Sequence, residues 1–178
     1  MTSNKVTHDT VEYSFGECIV GPFAVSTNSK GICGIILGDN HSHILRLMEK
    51  CFKGIKLIES KSSDNKLIQD VASFIENPDI GLSYKVDIEG TNFQIKVWNE
   101  LRKVPTGSTT SYTRLAQQVG NPKATRAVAN ACGSNRLAIY IPCHRVLRSD
   151  GGISGYRFGV QRKKDLLRHE AELLKHKS

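Results

Sequence analysis

Between residues 11 and 37 short runs of Tyr, Ile, Val and Phe alternate with the turn formers Gly16, Gly21-Pro22 and Asn28-Ser29-Lys30-Gly31, a pattern that predicts a small antiparallel sheet. The period then changes. Asp39 and Asn40 can cap a helix in which Ile44, Leu45, Leu47, Met48, Cys51 and Phe52 recur at helical spacing, and Asp64 precedes a second with Leu67, Ile68, Val71, Phe74 and Ile75. Asn77-Pro78 stops that helix, and the alternation from Leu82 to Glu89 predicts one more strand. Thr91, with Gln94 three residues on, has capping-box spacing and opens a helix with Phe93, Val97, Trp98 and Leu101 inward, ended by Val104-Pro105. Ser111 can cap a helix through Val119, Gly120 closes it, and Asn121-Pro122 starts another that reaches about Cys132. The fold class expected is α+β: a small N-terminal antiparallel sheet with helices, packed on a mainly helical C-terminal part that contains a helix-turn-helix. The pattern changes near residue 90 without a linker, so domains over 1–90 and 91–178 are expected, in contact with each other.

Composition narrows this little: 39% apolar and 24% charged residues, with 15 Gly and 5 Pro, exclude a collagen-like, coiled-coil or disordered chain. The polar start and the absence of any apolar run of about 18 residues give no reason to expect a secretion signal or a membrane span. A soluble, cytoplasmic protein is the expectation. The five cysteines, Cys18, Cys33, Cys51, Cys132 and Cys143, are odd in number and contain no Cys-x-x-Cys pair, which fits reduced thiols better than a disulfide or zinc framework. Charge adds more. Residues 1–95 hold 9 Lys/Arg against 12 Asp/Glu, residues 96–178 hold 16 against 5, and the net charge of +8 therefore belongs to the second half. That asymmetry suggests a polyanionic partner, nucleic acid before membrane, although a solvated basic surface would give the same count. In the second helix of the helix-turn-helix, Ala124, Ala127, Ala129 and Ala131 permit close approach while Lys123 and Arg126 supply charge; the same geometry also occurs as plain packing.

The apolar run Leu137–Ile141 predicts a buried strand that delivers Pro142-Cys143-His144-Arg145-Val146. A cysteine followed directly by His and Arg sits in an electropositive setting that can stabilise its thiolate, which makes Cys143 a nucleophile candidate. A lone cysteine after an apolar run is ordinarily a small buried hydrophobe, and His144 alone would read as a surface or satisfied histidine.

Ile-Pro-Cys-His-Arg-Val, with Ser-Tyr-x-x-Leu-Ala before it, Gly-Asn-Pro-Lys-Ala-x-Arg-Ala-Val between, and Ser-Gly-Tyr-Arg-Phe-Gly after it, resembles the O6-alkylguanine-DNA alkyltransferases, the methylated-DNA–protein-cysteine methyltransferases, in their bacterial form. The resemblance runs from Val11 to Glu170 and is strongest from Gly90 onward. It implies that 91–178 is a DNA-binding and alkyl-acceptor domain and 1–90 a structural α+β domain. Cys143 matches the acceptor, whose sulfur takes the alkyl group from guanine O6, and from O4 of thymine, in a single irreversible turnover. His144 matches the residue that takes the thiol proton, Glu170 the carboxylate that orients the histidine, and Asn135 the asparagine that braces the turn before the acceptor. Tyr112 and Arg126 match the pair that extrudes the damaged nucleotide, Asn121 and Ser149 match contacts to DNA backbone, and Val146 and Tyr156, with Tyr112, match the alkylguanine pocket. The implied partner is duplex DNA containing O6-alkylguanine, bound through the minor groove by a monomer, with no membrane and no cofactor. Two departures stand out. Arg157 replaces the serine that some relatives carry after the pocket tyrosine, and Cys18, Cys33, His41 and His43 do not reproduce the zinc ligands of some animal relatives, so no metal is expected. Two other readings remain open on the residues: a protein that marks alkylated DNA without repairing it, disfavoured by Cys143, and a cysteine hydrolase, which would leave the helix-turn-helix without a role.

Overall fold

The computed structural model describes residues 10–61 and 65–177. The first apolar runs form β1 (Thr10–Cys18), β2 (Gly21–Asn28) and β3 (Gly31–Leu37), paired antiparallel. Asn28 shapes the second turn by accepting from the Lys30 and Gly31 N–H groups. Asn40 caps α1 (His41–Cys51) by accepting from the His43 N–H, and Ile44 and Met48 turn inward. Helix α2 (Asn65–Glu76) buries Val71, Phe74 and Ile75 and packs on β1. The Asp64 cap and the polar start expected from the sequence lie outside the described residues.

Two expectations for this half are corrected. The sheet is mixed: a short β4 (Lys56–Glu59) pairs parallel with β1, giving the order β3-β2-β1-β4. Four residues, Lys-Leu-Ile-Glu, are too few for alternation to reveal a strand. The segment Leu82–Glu89, in turn, makes no regular strand. It touches β3 at one bridge, Val86 with Ile32, through Ile32 N–H to Lys85 O (2.9 Å) and Asp87 N–H to Ile32 O (2.8 Å). The approach is close enough that a Cβ on Gly31 (φ 140°) would lie 2.3 Å from Lys85 O. Further along the same edge the place is taken by another part of the chain: Ile35 N–H donates to Arg136 O (2.9 Å) and accepts at its own carbonyl from Ala138 N–H (3.0 Å). Two passing segments therefore share one strand edge, and neither has room for a ladder.

The second half is helical. Thr91 and Gln94 form the expected capping box on α3 (Asn92–Leu101), which buries Val97, Trp98 and Leu101. Ser111 caps α4 (Tyr112–Gln118), and Gly120, with φ 81°, takes the left-handed position after it. Helix α5 (Thr125–Gly133) starts three residues later than Pro122, because Asn121–Ala124 closes a turn through Ala124 N–H to Asn121 O (2.9 Å), with Pro122 in the second place that suits its fixed φ. Helices α3, α4 and α5 pack on one another, and Trp98 Nε1 donates to Ala131 O (2.9 Å). The last helix, α6 (Val160–Lys175), is tied to the first half by Arg162, which donates to Val20 O (2.9 Å) and Gly38 O (2.8 Å). No helix among the described residues is long and apolar enough to cross a membrane.

Candidate active site

Leu137–Ile141 is buried as expected, yet it is a series of turns and not a strand. Beyond the single bond of Ala138 N–H to β3, it folds back on itself through Tyr140 N–H to Ala138 O (2.8 Å) and Ile141 N–H to Leu137 O (3.0 Å), and Ile139 has φ 69°. A left-handed β-branched residue is strained and holds only where its surroundings over-determine it. Asn135 supplies that restraint. Fully buried, it donates from Nδ2 to Ile141 O and accepts at Oδ1 from Leu137 N–H, both at 2.8 Å, clamping the two ends of the turn together. The chain then enters a 3-10 turn, Cys143–Arg145, and leaves through β6 (Val146–Leu147), which pairs with β5 (Thr110–Ser111) immediately before α4. This two-residue pairing sets Tyr112, the first residue of α4, beside Cys143.

Cys143, His144 and Arg145 are all buried, and α6 brings Glu170 to meet them. Glu170 Oε1 lies 2.7 Å from His144 Nε2 and 2.7 Å from Arg145 Nη2, while Oε2 accepts from Arg145 Nε (2.8 Å) and from the Gly107 N–H (3.1 Å). Burial alone would raise the Glu170 pKa, but the bonds from His144 and Arg145 outweigh it and hold the carboxyl at about 2. An ionised carboxylate only accepts, so His144 carries its proton on Nε2 and leaves Nδ1 with a lone pair. That Nδ1 is buried and bonded to no protein group. Burial also pushes the His144 pKa below its ordinary value and keeps the ring neutral, as a base requires, despite the opposing pull of Glu170. The Cys143 thiol is pushed up by burial, so it is a poor thiolate until a base acts on it. Arg145 is further held by Val104 O (2.7 Å) and Thr106 Oγ1 (3.2 Å), which fixes the carboxylate from behind.

Cys143 lines a cleft of about 320 Å³, a size within the range of small-molecule sites, whose walls include Tyr112, Tyr156, Ser154, Ala129 and Cys132. The Tyr156 hydroxyl is buried and bonded to no protein group. Val146, expected at the pocket, is fully buried within the β5–β6 pairing, opposite Thr110, and is not part of the wall. Arg126 is exposed on α5, one turn before Ala129 and so on the cleft-facing side of the helix, while Asn121 and Ser149 are exposed on loops. Arg157 has a use of its own. Its guanidinium donates to Gly133 O (3.1 Å) and Asn135 O (3.4 Å), fastening the loop after the 3-10 turn to the end of α5.

The sequence alone singled out neither Ser154 nor Lys163, and gave Arg145 only a general electropositive role. One signal was present. Lys163, Leu166 and Glu170 share a helical face, so two charged residues occupy the apolar side of α6, where a charge needs a partner or a task.

A buried thiol, an imidazole held by a carboxylate and a cleft beside a helix-turn-helix form an arrangement in which a fixed base can serve a cysteine nucleophile. Residues 92–172 match the family model described as 6-O-methylguanine DNA methyltransferase, DNA binding domain. Over 176 residues the chain is 42% identical to the bifunctional transcriptional activator/DNA repair enzyme Ada of Escherichia coli, covering 97% of this chain and 50% of that one. It therefore spans about half the length of that relative. It is 34% identical to the inducible methylated-DNA–protein-cysteine methyltransferase of Bacillus subtilis over 82% of each chain. Mycobacterium tuberculosis OGT, crystallised in complex with DNA, superposes with a TM-score of 0.71 at 26% identity, over 92% of this chain and 93% of that one. The chain belongs to the methylated-DNA–protein-cysteine methyltransferase family.

Proposed function

We propose that this protein repairs alkylated DNA by moving an alkyl group, chiefly methyl, from guanine O6, and from thymine O4, onto Cys143 Sγ, once per molecule. The observation that carries this reading is the placement of a buried thiol at a nucleobase-sized cleft next to an imidazole that a buried carboxylate orients. His144 takes the thiol proton, directly or through one water, and Glu170 stabilises the imidazolium that results. The thiolate attacks the methyl carbon; the S–C bond forms, the C–O6 bond breaks, and its electron pair stays with the base. A thioether is a poor leaving group, so the reaction stops there. Asn135 keeps Cys143 at the cleft floor.

The base must leave the stack to be reached, because guanine O6 lies inside its base pair. In this reading α5 enters the minor groove, where its small residues allow close approach, Arg126 fills the gap left in the stack and Tyr112 crowds the extruded nucleotide's phosphate. Asn121 and Ser149 touch the backbone, Tyr156 and Tyr112 flank the base, and Val146 supports the floor from behind. The unit is a monomer and needs no cofactor. Residues 1–90 act as a structural domain, and 91–178 bind DNA and accept the alkyl group. DNA binding itself is supported by the relatives that are repair methyltransferases, by the DNA complex of the structural neighbour, and by the basic second half.

The test is the O6-methylguanine content of a duplex, measured by nuclease digestion and chromatography as protein is added. Loss of one modified base per protein, with a plateau at equivalence, is the expected result. A duplex that is bound and keeps its modified base would leave recognition alone, and repeated turnover would point to a different chemistry.

A further inference from the structure

Lys163 is fully buried on α6, and among the described residues no carboxylate pairs with it. Burying an ammonium without a counter-ion is unfavourable, so its position calls for an explanation. Its Nζ donates to Ser154 Oγ (3.0 Å) and reaches Gly155 O at 3.5 Å, both on the cleft loop. Ser154 Oγ in turn lies 2.5 Å from the Tyr112 hydroxyl, and Ser154, Tyr112 and Cys143 all face the cleft. The direction of this chain follows from what each group can do. An ammonium only donates, so the serine oxygen accepts from it, and the serine proton is then free to be given to the tyrosine oxygen. Each donation polarises the next, which leaves the Tyr112 proton aimed away from Ser154 and more readily donated.

We propose that Lys163 and Ser154 are positioning residues that point and polarise the Tyr112 O–H toward the base from which the alkyl group departs. This rests on the alkyl-transfer reading. When the C–O6 bond breaks, the negative charge brought by the thiolate passes to guanine with the electron pair, and the Tyr112 O–H donates to it with the Lys163 charge behind. Before transfer the same charge favours the Cys143 thiolate; burial lowers the Lys163 pKa, and the neighbouring thiols oppose that fall. Ser154 is the junction: without its hydroxyl the ammonium and the phenol are no longer connected.

The test uses single-turnover methyl transfer from an O6-methylguanine duplex, with the dissociation constant for the same duplex measured alongside. Ser154→Ala is expected to slow transfer about tenfold, less than the loss of a direct transition-state donor, with duplex affinity unchanged. Ser154→Thr, which keeps the hydroxyl, should restore most of the rate. Tyr112→Phe should be slower still, and adding Ser154→Ala to it should cost nothing further, because the chain then has no end to act on. Lys163→Met should match Ser154→Ala, and if it fails to fold the serine and tyrosine variants decide the matter alone. A Ser154→Ala rate within twofold of the parent, or an undiminished loss in the Tyr112→Phe background, would overturn the proposal. Absence of transfer by the parent protein would instead overturn the alkyl-transfer reading.

Discussion

The two halves of the chain bury different things. Around β1–β4, α1 and α2 the interior is apolar, with Phe23, Ile35, Ile36, Leu37, Ile44 and Met48 fully enclosed and Ser26 as the buried polar side chain. From Thr91 onward the interior also contains Thr106, Asn135, His144, Arg145, Lys163 and Glu170. Burying polar and charged groups is costly unless they are bonded to one another, and here they are: to the Asn135 turn, to the Glu170 carboxylate, to the Ser154 hydroxyl. The first half thus has an apolar interior and the second a bonded polar one, which on the proposed reading is where the chemistry happens. The halves meet where the edge of β3 takes Arg136 and Ala138, at the start of the strained turn that leads to Cys143.

That contrast can be broken at several points. The largest effect is expected from Cys143→Ala, which should abolish alkyl transfer, read as retained O6-methylguanine in the duplex, while leaving DNA affinity intact in a gel-shift titration. Glu170→Gln comes next. The His144 tautomer is no longer imposed and Arg145 loses its charge partner, so the transfer rate should fall about 100-fold and stability by about 3 kcal/mol in urea unfolding. Without that variant the same carboxylate gives a pH dependence. Its folded pKa of about 2 is below the ordinary 4.5, so the stability it provides is complete above 4.5 and is lost as pH falls toward 2. Arg126→Ala should slow repair in duplex DNA by about tenfold or more and leave reaction with free alkylguanine nearly unchanged, since only the duplex requires flipping. Equal losses on both substrates would make Arg126 a folding residue. Smallest in its effect on transfer is Phe23→Leu in the first half: a loss of about 1 to 2 kcal/mol of stability, with the rate per folded molecule unchanged. A rate loss in that variant would show that the first half takes part in the chemistry.

The residues that were legible in the sequence are those whose meaning is local. Asn40, Thr91 with Gln94, and Ser111 announce helix starts because a cap acts within three residues, and all three cap as expected. What was illegible depends on distant parts of the chain. The turns of Leu137–Ile141 look like a strand because both states bury apolar residues, and only the Asn135 clamp and the crowded β3 edge decide between them. Leu82–Glu89 fails as a strand for the same edge. The late start of α5 reflects a turn that competes with a helix for the same Asn-Pro signal. Among site residues Cys143 and His144 stand out in one short motif, Glu170 needed the family resemblance, and Ser154 with Lys163 emerged only once α6 was folded against the cleft loop.

The most direct test of the account is peptide mass mapping of the protein after reaction with one equivalent of duplex containing a single O6-methylguanine. A single added methyl on the peptide bearing Cys143, and none on those bearing Cys18, Cys33, Cys51 or Cys132, is the predicted result. A methyl on another cysteine, Cys132 above all since it shares the cleft wall, or no methyl at all, would contradict it.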